Sequence, residues 1–157
     1  MSEDEVENEL MGDAFSLRMT HDGLCMVEIA PNTHVNGATA SMIKSGIARL
    51  AGDRNCSLIL DLGAVTGVTR AARNLTAELI TASWLRSLAI LGDSQAAVDA
   101  SEVLMRAKPV VPFRRFDDVD GAARWGRAVE KDTPREDSGE STGHGRSDPR
   151  RAGQRRF

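Results

Sequence analysis

The residues best suited to chemistry gather behind the apolar run of the stretch Cys56 to Arg73, CSLILDLGAVTGVTRAAR. Thr66, Thr69, Arg70 and Arg73 follow Leu58, Ile59, Leu60 and Leu62, and Ser94 stands just beyond a second apolar run, Leu88 to Leu91. A buried strand that leaves the core through a sharp loop into a helix presents unpaired backbone amides and the positive end of the helix dipole at that junction. Two such junctions are expected on one edge, at Thr69-Arg70 and at Asp93-Ser94. With Arg70 and Arg73 beside the first, the set suits a phosphate, a carboxylate or the acidic face of a partner. Thr69 also meets a simpler need as a helix N-cap, a role that stabilises by ~1 kcal/mol. Arg70, in the first helical turn, opposes the dipole instead of complementing it.

Asp61 interrupts the apolar strand and has two readings. It is either a general acid or base of perturbed pKa, or a carboxylate near the strand end that binds backbone amides of the Gly63 to Thr66 loop. An enzyme built on Asp61 and Thr69 needs a partner base, and the sequence offers none. His21 lies in a turn, His34 in a loop and His144 in the tail, none at zinc-ligand spacing from Cys, Asp or Glu. Walker and GxGxxG patterns are absent. The expectation is therefore no catalytic residue, no metal and no cofactor. Cys25 and Cys56 each fall inside a predicted strand, as buried thiols in a reducing compartment do.

The elements that must hold these residues follow from periodicity. Phe15, Leu17 and Met19 alternate with Ser16, Arg18 and Thr20, and His21-Asp22-Gly23 turns this strand into a second one, Leu24 to Ile29. A helix from Asn36 to Ala51, capped by Asn36 or Thr33, places Ala38, Met42, Ile43, Ile47 and Leu50 on one face, and Gly52-Asp53 ends it. The strand Ser57 to Leu62 is nearly continuous in apolar residues, as a strand covered on both faces requires. A second helix runs from Arg70 to about Ala82 with Ala71, Leu75, Leu79 and Ala82 as its stripe, and the strand Leu88 to Leu91 follows. Ser94 caps a third helix carrying Ala97, Val98, Leu104 and Met105, which stops near Lys108 because Pro109 follows. Pro112 to Phe116 is a last strand, and Asp117 or Asp118 caps a last helix with Val119, Ala122, Trp125 and Val129 inward. This alternation predicts an α/β fold: one domain, a mixed sheet of about five strands, and about four helices packed chiefly on one face.

With 41% of 157 residues hydrophobic, the chain supports one ordinary core. The net charge of −3 conceals a partition. Residues 1–13 carry six acidic residues and no basic one, which predicts a flexible acidic arm, disordered or loosely docked, ahead of a domain over 14–130. Residues 131–157 hold only Ala152 and Phe157 from the hydrophobic set, which predicts a disordered tail rich in Arg, Gly and Ser. Its terminal arginines, Arg146, Arg150, Arg151, Arg155 and Arg156, attract phosphates in general, but Asp137, Glu140 and Asp148 dilute them and only Phe157 could stack on a base. No specific nucleic-acid partner is expected. MSEDEVENEL lacks the pattern of a secretory signal, and nothing approaches the ~20 apolar residues of a membrane span, so a soluble cytoplasmic protein is expected.

The motif LILDLGAVTGVTR, with the hairpin before it and the helix units around it, resembles the sulfate-transporter and anti-sigma-factor-antagonist (STAS) superfamily over about residues 14–130. ILDLGAVTGVTRAAR, LAIL and KPVVPFRRFDDVDGAARW, closing on Trp125, are similar to a bacterial STAS-like or SEC14-like family of uncharacterised proteins. The resemblance implies a STAS-like fold whose surface around Thr66 to Arg73 docks a protein partner, a non-enzymatic regulatory role. In anti-sigma-factor antagonists an Asp-Ser pair opens the second helix, and the serine is a phosphorylation switch. Here Thr69 falls at the Asp position and Arg70 or Ala71 at the serine position, leaving Thr69 as the candidate phosphoacceptor. The alternative is a SEC14-like binder of a small apolar or lipid-like ligand, in a pocket between helix and sheet lined by Leu75, Leu79, Val98 and Leu104.

Overall fold

The computed structural model of the chain describes residues 5–79, 82–107 and 111–132. In chain order the elements are β1 (Val6–Met11), β2 (Phe15–Thr20), β3 (Leu24–Ile29), β4 (His34–Val35), α1 (Gly37–Ala51), β5 (Cys56–Asp61), β6 (Gly67–Val68), α2 (Arg70–Leu79), β7 (Leu85–Leu91), α3 (Gln95–Ala107), β8 (Phe113–Phe116) and α4 (Val119–Asp132). Six strands form one sheet in the order β1-β2-β3-β5-β7-β8, while β4 and β6 make a separate short ladder. The first three strands are antiparallel neighbours, and β3, β5, β7 and β8 run parallel. Each parallel crossover advances the sheet in the same direction, so right-handed connections put α1, α2 and α3 on one face. Only α4 returns across the other.

Alternate residues of the parallel strands divide between the two faces. Val27, Leu58, Leu60, Leu88 and Ile90 join Ile43, Ile47, Leu79 and Leu104 on the three-helix side. Leu24, Met26, Ile59, Ala89 and Leu91 meet Ala122 and Ala123 of α4. Cover on both sides is why β5 and β7 read as continuous apolar runs. Gly126 lets α4 lie close: a Cβ there would stand 3.1 Å from Leu24 and 3.5 Å from Ser57. Cys25 and Cys56 are buried, unbridged thiols, and burial, aided by the neighbouring Cys56, pushes the Cys25 thiol up to about 12.

The mixed α/β sheet and its four helices agree with the sequence, but the sheet has six strands instead of about five. The extra strand comes from the segment read as a flexible acidic arm. Val6–Met11 pairs antiparallel with β2 through a turn in which the Gly12 amide donates to the Phe15 carbonyl at 2.9 Å. Its acidic residues are matched by distant cations: Glu7 lies 2.9 Å from Arg54, Glu9 3.5 Å from Arg18 and Glu5 3.4 Å from Arg127. The tail from 133 onward lies outside the described residues.

Helix faces also shift. Met42 is 62% exposed and Ala38 and Ala71 face solvent, so the buried stripes are Ile43, Gly46, Ile47 and Ala51 on α1 and Ala72 and Leu79 on α2. On α3, Met105 points outward and Ala96, Ala97 and Leu104 point in. β7 begins at Leu85, earlier than expected. Of the alternative caps, Asn36 accepts from the Thr39 amide at 2.9 Å and Asp118 from the Gly121 amide at 2.6 Å.

Candidate functional site

The C-terminal ends of β5 and β7 open into the loops that start α2 and α3, so both helix starts lie on the edge anticipated from sequence. Asp61 accepts the Gly63 amide at 2.9 Å, the loop-binding role of its two readings. The loop is braced from beneath. The Asn32 amide donates to the Ala64 carbonyl at 3.0 Å, that of Thr66 to Thr33 at 3.0 Å, and that of Thr69 to Val35 at 2.9 Å. The β4–β6 ladder pairs His34 with Gly67 and Val35 with Val68.

The five candidate residues divide by what their side chains do. Thr69 caps α2, accepting the Ala72 amide at 3.2 Å. Ser94 caps α3, accepting the Ala97 amide at 3.1 Å while donating to the Leu62 carbonyl at 2.7 Å. Both hydroxyls are thus engaged within the fold. Thr66 and Arg70 are exposed. Arg73 reaches back from α2 to donate to the Val68 carbonyl at 3.1 Å. Thr66 and Arg73 border one polar cleft of about 70 Å³ with Gln95 and Asp99 at the start of α3. The structure brings these two together, whereas Ser94 is not among the residues lining that cleft.

Beneath α2 lies a second, apolar cavity of about 50 Å³. Leu79 and Leu104 line it, as the ligand-binding alternative requires, together with Val27, Ile43, Leu58 and Leu60. Val98 is half-buried and not part of its wall, and the Leu75 side chain lies outside the described residues. Lys44 of α1 and Arg73 of α2 also line it. Lys44 pairs with Glu78 at 3.2 Å, joining the two helices beside the cavity.

A family model described as Domain of unknown function (DUF7793) matches residues 18–129. The chain belongs to this family. Among solved structures, the DUF7793 chain is similar to an uncharacterised DUF3478-family protein from Shewanella loihica PV-4, described as having a SpoIIAA-like fold. The TM-score is 0.53 at 14% identity, over 76% of this chain and 98% of that one. At that identity the likeness concerns the fold, which is STAS-like. No curated protein matches the sequence.

Lys44, Glu78, Gln95 and Asp99 were not singled out from the DUF7793 sequence. Lys44 adjoins the apolar stripe of α1, but nothing local marks a pairing 34 residues away. Among the described residues, no group of three or more His, Cys, Asp or Glu is placed to hold a metal ion, and no helix is long and apolar enough to cross a membrane.

Proposed function

We propose that this DUF7793 domain is a non-enzymatic regulatory module that docks a protein partner on the loop 63–68 and the first turn of α2. The observation that carries the reading is the bracing of that loop: its backbone bonds to residues 32–35 from below, while Thr66 and Arg70 stay exposed above. A surface fixed before binding loses little conformational entropy when a partner arrives. The STAS-like fold supports the reading by analogy. A phosphate on Thr69 would sit at the N-terminus of α2 beside Arg70 and Arg73, where helix dipole and cations favour it, and would roughly cancel the positive charge of the docking face. A photo-cross-linking residue at position 66 should capture a discrete protein in the native host, and the same residue at exposed Ser45 on α1 should not. Equal capture at both positions would sink the assignment of this face.

The apolar cavity favours a second reading, a small apolar or lipid-like ligand. Its volume of about 50 Å³ is roughly a third of the ~150 Å³ engineered cavity that admits benzene. It accepts a short alkyl group as it stands, and a larger ligand requires α2 to move outward.

A further inference from the structure

We infer that the cavity beneath α2 takes the alkyl chain of a small straight-chain carboxylate whose head is held by Arg73. The inference rests on the ligand-binding reading of that cavity and adds the chemistry of the head group. Of its sixteen lining residues, fourteen are apolar, and the other two, Lys44 and Arg73, are both cations. They stand on different helices. Lys44 already faces a carboxylate, Glu78 at 3.2 Å. Arg73 has no carboxylate partner among the described residues, and one of its donors is fixed on the Val68 carbonyl at 3.1 Å. That bond holds the guanidinium at the rim while leaving further donors of its planar fork, the geometry that matches a carboxylate.

The neighbouring cleft narrows the choice of head. Arg73 is the charged residue common to both spaces, and the cleft beyond it contains Asp99, whose carboxylate accepts from the Gln95 amide at 2.8 Å. A doubly charged phosphate there would meet Asp99, whereas a singly charged carboxylate on Arg73 halves that repulsion. The chain must be short or must displace α2. Displacement opposes little at its far side, because the Lys44–Glu78 pair is solvent-exposed and such pairs contribute little.

The test is an NMR titration of the full-length protein with hexanoate and, separately, hexan-1-ol, which differ in the head alone. Hexanoate should shift the backbone amides of Ala40, Ile43 and Ala100 saturably and bind about tenfold more tightly than the alcohol, the scale of one charge-assisted contact. Arg73→Gln should remove that advantage and leave hexanol binding unchanged, with the melting curve confirming that the variant folds. Equal affinity for the two compounds, or hexanoate binding indifferent to Arg73→Gln, would overturn the carboxylate assignment while sparing the cavity as a ligand site. Failure of both compounds to shift those amides would overturn the ligand-binding reading as well. Ala100→Leu fills the cavity and should abolish both titrations; unchanged titrations in that variant would also overturn the placement.

Discussion

Ser94 and Thr69 spend their hydroxyls on helix caps, and Asp61 spends its carboxylate on the Gly63 amide. These roles were legible because capping is local: donor and acceptor lie two or three residues apart, and spacing along the chain reports it. The positions of Arg73 and Lys44 were not legible, since each depends on which helix passes over which strand. Gly92 carries the strictest local demand. Its φ is 114°, and a Cβ there would stand 2.6 Å from the Gly63 Cα and 2.8 Å from the Gly63 nitrogen, backbone atoms that cannot rotate aside. Gly92→Ala should cost about 2–4 kcal/mol in urea unfolding, because strain and overlap add at one site. Asp22 supplies a pH handle. Burial works against its ionisation, but hydrogen bonds with Thr20 at 2.6 Å and Arg127 at 2.8 Å prevail and hold its carboxyl below the usual carboxylate range. A depressed pKa contributes stability that is present at neutral pH and lost as pH falls through the folded value, below about 3.8. Thermal melts from pH 7 to pH 3 should therefore show a shallower acid loss in Asp22→Asn than in the parent.

At the scale of elements, β1 is where composition misled. Six acidic residues in thirteen read as solvated chain, yet Arg18, Arg54 and Arg127 come from three separate places to meet Glu9, Glu7 and Glu5. Charge matching across the sequence leaves no trace in a local window. Leu10 adds an apolar anchor, lying against Leu17 at the place where Gly46 leaves room on α1. The two-residue ladder of β4 and β6 was likewise too short to show a period, although it braces the candidate docking loop. β1 also shields the edge of β2, and an uncovered edge invites pairing with another chain. A chain lacking residues 1–11 should melt about 3–8 °C lower and self-associate in sedimentation velocity. An unchanged, monomeric variant would show that β1 contributes neither stability nor edge protection.

For the whole molecule, a mixed sheet with helices chiefly on one face followed from the alternation of apolar strands and amphipathic helices, because right-handed crossovers leave little freedom in placing α1 to α3, whereas the passage of α4 across the other face came from the structure. The alternation also put the starts of α2 and α3 on one edge. Which of their side chains remain outward required the packed structure: Thr66 and Arg70 do, and Thr69 and Ser94 are drawn into caps. The proposed role of this edge is to bind a partner protein through Arg70 and its neighbours. Native mass spectrometry of the protein purified from its own host, beside an Arg70→Glu variant and with phosphopeptide mapping of Thr69, tests it most directly. The parent should give a stoichiometric protein complex that is lost in the variant, whose fold is unaffected because Arg70 is exposed. A bare monomer in both, or a complex indifferent to Arg70→Glu, would contradict it.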